Sequence, residues 1–304
     1  MKKIAFIAQG KIKHLNKHLA DIKQVFAVDY EIAFFITERK AHAIELASQA
    51  ANNGFEYIIC IGGDGSTNEV ANGIMDAQNR AQNVFMGLLP MGTGNDFAKT
   101  MQVNNNLHVL KRLIDNNQHQ VIDLGLANYT NTDNKPASRY FINITDTGMG
   151  GIAAEKLNGY SKLLGPTISF QRAIISTLLT YHKQQVEVKA DTFTHSGSTL
   201  NFIIANGKYF GSGLGIAPHA NPTDGEFAIV VAAEISIWDY LMNLGTVRKC
   251  KKVEHPQLMY KSAKTITIQS PEGPMPIDMD GEFIGYTPMQ VNIVPGAIKF
   301  LSPL

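Results

Sequence analysis

The sequence predicts a two-domain protein, in which an α/β domain with a parallel sheet precedes a β-rich domain. In the first part of the chain, short apolar runs alternate with segments whose apolar residues recur at helical spacing. From about residue 140 onward, short strand-like runs replace this alternation. A chain of 304 residues is also longer than one ordinary core accommodates, which favours two domains.

These patterns place the elements in chain order. The apolar runs predict strands at residues 4–8, 32–36, 57–61 and 84–89, with helices at 15–26, 41–51 and 66–76. Strands that alternate with helices in this way indicate a parallel sheet with helical crossovers. In the second part, the predicted strands are 141–144, 186–190, 200–205, 227–232 and 265–269. We place the first domain at residues 1–126 and the β-rich domain at 127–291.

Charge and cysteine content narrow the class of protein. A formal net charge of +1 argues against a nucleic-acid binder that relies on broad phosphate neutralisation. The two cysteines, Cys60 and Cys250, indicate neither a disulfide framework nor a thiolate metal site, which fits a reducing cytoplasm. The apolar start of the chain is too short for a signal peptide, and the weakly charged segment 163–181 is too polar for a membrane span. We therefore expect a cytoplasmic protein that is soluble or peripheral to the membrane.

A glycine-rich turn directly follows the predicted strand 57–61. Glycines let the backbone approach a polyphosphate closely, and the amides that open the next helix point toward it. Ser66 and Glu69 have the spacing of a capping box for that helix. The turn and helix start comprise Gly62, Gly63, Asp64, Gly65, Ser66, Thr67, Asn68 and Glu69.

A second glycine turn follows the next predicted strand, 84–89. It contains Gly92, Thr93, Gly94, Asn95 and Asp96, so hydroxyl, amide and carboxylate groups stand close together in sequence. Ligands of an open parallel sheet bind outside the carboxyl ends of its strands. Both turns are expected there, which favours a phosphate site over two unrelated tight turns.

The chain resembles the soluble bacterial diacylglycerol kinase-like lipid kinases, which are related to sphingosine and ceramide kinases. Besides the two glycine turns, the resemblance rests on the segments 122–125, 217–220 with 224–225, and 279–282. It covers nearly the whole chain. It implies an ATP-binding α/β domain of the NAD kinase and phosphofructokinase type, a β-sandwich second domain, and a final strand, about 292–304, that returns to the first domain.

The same resemblance implies roles for the polar residues of the first domain. Asp64, Asp96 and Asp123 are expected to organise Mg²⁺ beside the ATP phosphates, since phosphoryl transfer depends on positioning and charge neutralisation. Thr37 lies just after the second strand and is a further nucleotide contact. The expected nucleotide-binding residues are Thr37, Gly62, Gly63, Asp64, Gly65, Ser66, Thr67, Asn68, Glu69, Gly92 and Thr93.

The segment 279–282 contains the expected general base. By resemblance, Asp280 accepts the proton of the lipid hydroxyl and Glu282 belongs to the magnesium network. The alternative is an ordinary Asp-Gly hairpin turn with solvated carboxylates.

A second metal site is expected at residues 221–226. By resemblance, Asp224 with the carbonyl groups of Asn221 and Glu226 would bind a structural Mg²⁺. A turn capped by Asp224 explains these residues equally well.

The resulting hypothesis is an ATP-dependent lipid kinase that phosphorylates a lipid hydroxyl at the membrane surface, with diacylglycerol giving phosphatidic acid as the simplest case. The alternatives are an NAD kinase-like enzyme and a catalytically silent nucleotide- or lipid-binding regulator. The basic residues 248–252 follow a predicted helix and indicate either transient membrane contact or a solvated face. No nucleic-acid partner is expected, and the oligomeric state stays open, with a homodimer as one alternative.

Overall fold

The chain divides into two units, each described here by itself. Unit 1 comprises Met1–Asp123 and Gly296–Leu304, and unit 2 comprises Leu124–Pro295. The computed structural model describes residues 1–78, 84–159, 172–174, 176–177, 179–181 and 183–303.

Unit 1 is an α/β unit with a parallel sheet. Its strands run in the order β2-β1-β3-β4, and residues 299 and 300 near the end of the chain pair in parallel with β4. The strands are β1 Lys3–Gln9, β2 Glu31–Thr37, β3 Tyr57–Gly62 and β4 Phe85–Pro90. The helices are α1 Leu15–Phe26, α2 His42–Asn52, α3 Asp64–Asp76, α4 Asp96–Thr100 and α5 Leu107–Asp115.

Strand β3 is central to this unit, and every one of its residues is buried. A parallel strand covered on both faces has this uninterrupted apolar sequence. Next to it, Phe6 of β1 packs edge-on against Phe26 of α1, with ring centroids 5.4 Å apart. Each such side chain stabilises the fold by about 1.5–3 kcal/mol.

Unit 2 is built mainly from antiparallel strands. Strands β12, β11, β10, β7, β14 and β15 pair in that order, β13 and β8 continue from β15, and β6 pairs with β5. The elements are β5 Gln120–Asn131, β6 Pro136–Phe141, β7 Ile144–Gly148, α6 Met149–Gly159, β8 Gln184–Ala190, β9 Thr194–Thr199, β10 Asn201–Ala205, β11 Phe227–Ala232, α7 Ile237–Arg248, β12 Leu258–Ala263, β13 Thr265–Gln269, β14 Pro276–Met279 and β15 Glu282–Phe300. Strands β5 and β15 contribute residues to both units.

The two faces of the unit 2 sheet differ in character. On one face, residues such as Phe202 and Ile204 join a core that includes Val188 and Ile268 of the strands β8 and β13. On the other face, one row of paired residues crosses the strands β12, β11, β10, β7 and β14. This row is Tyr260, Val230, Ile203, Asp146 and Asp278, so it ends in two acidic side chains.

The predicted fold class is confirmed, but the predicted helix start is wrong in detail. Helix α3 begins at Asp64 with Gly63 as its N-cap and without a side-chain cap. Glu69 accepts hydrogen bonds from the backbone N–H groups of Ala41 (2.9 Å) and Ala43 (3.1 Å) at the start of α2. The Glu69 carboxylate thus binds the start of α2 and does not form the predicted capping box with Ser66. Within the described part of the chain, no helix is long and apolar enough to cross a bilayer.

The contact between α2 and α3 gives a stability test. A Cβ on Gly73 of α3 would lie 2.2 Å from the carbonyl oxygen of Ile44 and 2.7 Å from Cβ of Ala47. Because the clash involves backbone, we expect Gly73→Ala to lower the free energy of unfolding by about 1–3 kcal/mol, measured by denaturant titration. The matched control is Gly245→Ala in α7, where a Cβ would meet no heavy atom within 4 Å. This control should raise stability by about 0.5–1 kcal/mol, and equal effects at the two positions would contradict the described packing.

Candidate active site

The two glycine turns of unit 1 touch each other through their backbones. They follow β3 and β4, which are neighbouring parallel strands. A Cβ on Gly92 would lie 2.4 Å from Cα of Gly63, so this approach requires glycine. Asn95, at φ 51°, closes the second turn, because its side chain accepts the N–H of Gly92 and donates to its carbonyl, both at 2.9 Å. The sequence placed these turns at one sheet edge, and the structure brings them into contact there.

Asp64 and Asp96 lie on either side of Gly94. A Cβ on Gly94 would be 3.0 Å from Oδ2 of Asp64 and 3.2 Å from Oδ2 of Asp96. Asp64 accepts the N–H of Phe97 at 3.0 Å, and buried Asp96 accepts a hydrogen bond from Lys99 Nζ at 3.1 Å. Burial raises the pKa of Asp64, the charge of Asp96 raises it further, and backbone N–H donors partly offset both.

This carboxylate pair fits a hydrated Mg²⁺ better than a fully protein-bound metal. Two nearby like charges are stabilised by a cation, and carboxylate oxygen is the ligand type that Mg²⁺ prefers. Among the described residues, no group of three or more His, Cys, Asp or Glu side chains is placed to hold a metal ion. Mg²⁺ commonly takes one or two carboxylates together with water and substrate phosphates. Asp64 and Asp96 supply that donor set.

The residues expected to bind nucleotide are divided between exposed and buried positions. Gly63, Asp64, Gly65 and Ser66 are partly exposed at the N-terminus of α3, where N–H groups are available to an anion. Gly62 is buried, and a Cβ there would lie 2.7 Å from Ser66 Oγ, so this glycine lets the turn close tightly.

Most of the other residues expected to bind nucleotide make hydrogen bonds within the protein. Thr67 and Asn68 are fully buried, and the Thr67 hydroxyl donates to the carbonyl of Gly63 at 2.9 Å. Asn68 Oδ1 accepts a hydrogen bond from Asn72 at 3.2 Å. Thr93 is exposed, and Thr37 Oγ1 lies 3.4 Å from the N–H of Gly10. Nucleotide contacts by these residues stay predictions.

Asp123 has a separate structural contact. Its side chain is buried, and Oδ1 accepts the N–H of Gly296 at 2.8 Å. Gly296 has a φ of 59° and opens the segment that returns to unit 1. This bond gives Asp123 a role in holding the returning segment, while its part in a magnesium network stays a prediction.

In unit 2, the carboxylate of Asp280 is bound by three backbone donors. Asp280 Oδ1 accepts the N–H groups of Asn143 (3.0 Å) and Ile144 (2.8 Å), and Oδ2 accepts that of Ile142 (2.9 Å). Asp280 is 7 % exposed and has a φ of 49°. Its side chain therefore fixes the turn between β14 and β15 to the segment between β6 and β7. The alternative of a solvated hairpin carboxylate does not describe this residue.

Glu282, two residues further on, has a different environment. Its Oε2 accepts a hydrogen bond from Arg139 of β6 at 3.0 Å, and its side chain is 22 % exposed. Sequence reasoning did not identify Arg139, because 143 positions separate the two partners. The ion pair orients Glu282 without burying it.

Sequence reasoning also missed a buried acid pair, Asp146 and Asp278, which are direct cross-strand partners on β7 and β14. Asp146 is fully buried, and neither of its oxygens has a hydrogen-bond partner within 3.5 Å. Oδ1 of Asp278 also has none. A Cβ on Gly150 would lie 2.0 Å from Oδ1 of Asp146, so the first turn of α6 covers this carboxyl group closely. The available signal was Asp278, which stands between the apolar residues Ile277 and Met279.

Burial raises the pKa of Asp146 to about 7, although the nearby Asn201 side chain lowers it in part. Burial also raises the pKa of Asp278, and the charges of Asp146, Asp280 and Glu282 raise it further. The ionised form of such a pair is costly inside a protein. Near neutral pH the pair therefore holds protons that an exposed carboxyl group would have lost.

The segment 221–226 forms an exposed turn. Asp224 Oδ1 accepts the N–H of Glu226 at 3.1 Å, and Asn221 Oδ1 accepts the Thr223 hydroxyl at 2.9 Å. The carboxylate of Glu226 lies 3.9 Å from Lys264 Nζ. These contacts describe a capped turn, and a metal site at Asn221, Asp224 and Glu226 stays a prediction.

Unit 2 also contains an apolar cavity, which lies between helix α7 and the sheet face that carries Ile203. Its volume is about 100 Å³. Its apolar lining includes Met149, Ile203, Ala232, Val247 and Leu258, while Asp239, Asn243 and His255 supply polar groups. Ile174 also lines the cavity, while most of the surrounding segment 163–179 lies outside the described residues.

The acid pair predicts an unusual pH dependence of stability. An unfolded aspartate titrates near pH 4, whereas Asp146 in the folded chain titrates near pH 7. Between these values the folded state binds more protons, so the stability of the wild type should fall as pH rises through this window. Asp146→Asn removes one of the two titrating groups, together with the charge that raises the pKa of Asp278. The variant should therefore gain, relative to wild type, on the order of 2 kcal/mol between pH 5 and pH 8.

The measurement is denaturant unfolding at each pH. Asp133→Asn, at an exposed position, serves as the control and should follow the wild type. Parallel curves for wild type and Asp146→Asn would contradict the described pair.

Comparison with known proteins matches both units. A family model described as the diacylglycerol kinase catalytic domain matches residues 8–127. A second, described as the YegS C-terminal NAD kinase beta sandwich-like domain, matches residues 143–302, which is more than half of the chain.

Relatives and solved structures agree with these matches. The chain is 26 % identical to a diacylglycerol kinase of Staphylococcus haemolyticus over 277 residues, covering 90 % of this chain and 79 % of the relative. It is also 26 % identical to a diacylglycerol kinase of Staphylococcus carnosus, covering 90 % and 85 %. A crystal structure described as a diacylglycerol kinase from Bacillus anthracis shares the fold, with a TM-score of 0.73, 20 % identity and coverage of 99 % and 97 %. The resemblance drawn from the sequence is thus confirmed, and the chain belongs to the family that joins a diacylglycerol kinase catalytic domain to a YegS-type β-sandwich-like domain.

Proposed function

We propose that this protein is an ATP-dependent lipid kinase, which transfers the γ-phosphoryl group of ATP to a lipid hydroxyl. Diacylglycerol, the substrate in the names of its relatives, is the simplest acceptor and would give phosphatidic acid. The observation that carries the proposal is the apolar cavity of unit 2. Glycine turns also suit kinases of soluble nucleotides, whereas an apolar cavity suits part of an acyl chain.

In this proposal, unit 1 binds the nucleotide. The N–H groups that open α3, from Gly63 to Ser66, bind phosphate oxygens, and the missing Cβ atoms let those oxygens approach the backbone. Asp64 and Asp96 would hold Mg²⁺ through water, and the bound ion would neutralise phosphate charge during transfer. Lys99 stays paired with Asp96 and keeps that carboxylate in place.

Unit 2 would bind the lipid acceptor, and one of its carboxylates would receive the proton of the lipid hydroxyl. The lipid oxygen attacks the γ-phosphorus, the bond from that phosphorus to the bridging oxygen of ADP breaks, and the hydroxyl proton moves to a carboxylate. We assign this proton to Glu282 in place of Asp280, the expectation from the sequence. Asp280 already accepts three backbone N–H bonds, which would weaken if its carboxylate took up a proton and lost its charge. Glu282 is more exposed, and Arg139 orients it.

The two alternatives predict different products when the protein is given ATP. An NAD kinase-like enzyme would label a soluble nucleotide, and the family description of the second domain names an NAD kinase-like β-sandwich. A silent regulator would bind nucleotide or lipid without transfer. The acidic residues at Asp64, Asp96 and Glu282 favour an active enzyme.

A transfer assay with two substitutions tests the proposal. The assay follows γ-³²P from Mg·ATP to diacylglycerol and other lipid alcohols in mixed micelles, with NAD as a soluble control. We expect label on a lipid. Glu282→Gln should fold normally and lose about 10²-fold or more in turnover, since it cannot accept the proton. Asp280→Asn should lower both the unfolding temperature and turnover, because an amide nitrogen replaces an acceptor of backbone N–H bonds.

The matched control is Glu234→Gln, at a side chain that is 60 % exposed, and it should have no effect. Label on NAD alone would assign the chain to the nucleotide kinases, and nucleotide binding without any label would favour the regulator. A Glu282→Gln enzyme with full turnover would refute the base assignment.

A further inference from the structure

Helix α7, Ile237–Arg248, exposes large apolar side chains to solvent. Trp238 is 73 % exposed, Leu241 42 % and Met242 82 %. Single apolar residues are common on protein surfaces, but these three fall within five positions of one helix. We call Trp238, Leu241, Met242 and the exposed Gly245 the outer stripe.

Helical spacing places the outer stripe on one side of α7. Positions 238, 241, 242 and 245 follow the i, i+3, i+4, i+7 pattern of a single helix face. The opposite side of the helix lines the apolar cavity through Tyr240, Asn243 and Val247. A helix on the surface of a protein ordinarily directs one apolar face inward and a polar face outward. Helix α7 instead presents apolar side chains on both.

The outer stripe leads into a basic segment. Arg248 and Lys249 lie at positions i+10 and i+11 from Trp238, on the same helix side, and Lys251 and Lys252 follow. All four are exposed, and Lys252 Nζ also lies 5.4 Å from the ring centroid of Tyr260. Glu254 is the exposed acidic residue next to them in sequence, so positive charge dominates this segment.

Asp239, the acidic residue of helix α7, is hydrogen-bonded within the protein. Asp239 accepts hydrogen bonds from the N–H (2.9 Å) and hydroxyl (2.6 Å) of Ser236 and lies 3.6 Å from His255, on the cavity side of the helix. It therefore does not oppose an anionic partner at the outer stripe. Apolar side chains with basic residues at one end are the pattern of helices that lie in the interface of an anionic bilayer.

We propose that the outer stripe of α7 and the basic residues 248–252 dock this protein on an anionic bilayer surface. This inference rests on the proposed function, since a lipid acceptor has to be reached in a membrane. Trp238 and Met242 enter the boundary between headgroups and acyl chains, and the basic residues contact anionic headgroups. Because the other side of α7 lines the cavity, docking brings one wall of that cavity next to the lipid.

Trp238 is the single tryptophan of the chain, which gives the proposal a direct reporter. Emission is measured with vesicles of phosphatidylcholine containing phosphatidylglycerol, and with vesicles of phosphatidylcholine alone. We expect emission to shift to shorter wavelength with the anionic vesicles and to be quenched by brominated acyl chains. Added salt should weaken the binding, since part of the attraction is electrostatic. This measurement needs no ATP and no turnover, so its outcome is independent of the kinase assay.

Two variants test the two parts of the surface by vesicle sedimentation. Leu241→Ser with Met242→Ser should weaken binding to anionic vesicles by about tenfold or more, since two apolar side chains are removed. Lys249→Glu with Lys251→Glu should also weaken it and reduce its salt dependence. The matched control is Val28→Ser, at an apolar residue of unit 1 that is likewise 82 % exposed, and it should bind as wild type. Unchanged unfolding temperatures would show that the variants are folded.

Three results would overturn the proposal. The first is unchanged Trp238 emission with anionic vesicles. The second is equal binding to vesicles of phosphatidylcholine alone. The third is a Trp238 shift that depends on protein concentration without vesicles and accompanies a dimer by light scattering, which would assign the outer stripe to a second copy of the chain.

Discussion

The backbone contact between Gly63 and Gly92 is the constraint on which the site in unit 1 depends. Strands β3 and β4 are parallel neighbours, so the turns that follow them lie side by side at the same edge of the sheet. Glycine at both positions lets the two turns occupy it, since a Cβ on Gly92 would lie 2.4 Å from Cα of Gly63. The consequence is that Asp64, which opens α3, and Asp96, which opens α4, both approach Gly94. The N-terminus of α3 and the two carboxylates thereby belong to one small region.

Unit 2 contains buried carboxyl groups in two different environments. At Asp280 three backbone donors surround the carboxylate, and the result is a fixed turn. At Asp146 and Asp278 three of the four carboxyl oxygens accept no hydrogen bond, and burial favours the protonated form of the pair. A pair of this kind lowers stability at neutral pH without serving the packing of the core. Carboxyl groups with perturbed pKa values cluster at functional sites, and Asp278 lies two residues before Asp280 in the chain.

Periodicity made most of the fold predictable. Strands β1, β3 and β4 carry continuous apolar runs because they are buried on both faces, and the helices of unit 1 carry a clear apolar stripe. The glycine turns were also visible, because only glycine permits their close approach. The capping box failed because Glu69 meets α2, 26 to 28 positions earlier in the chain. The Arg139–Glu282 and Asp146–Asp278 pairs were missed for the same reason, since each depends on strand pairing that local sequence does not encode.

Nucleotide affinity of a Gly92→Ala variant tests whether contact between the two glycine turns forms the phosphate site. Titration calorimetry with a non-hydrolysable ATP analogue and Mg²⁺ would compare it with wild type and with Gly197→Ala, where the nearest atom to a new Cβ is 3.9 Å away. We expect Gly92→Ala to weaken binding by about tenfold or more, or about 1.4 kcal/mol, in a chain that circular dichroism shows to be folded. Gly197→Ala should bind as wild type. An unchanged affinity in a folded Gly92→Ala protein would place the nucleotide away from the two glycine turns.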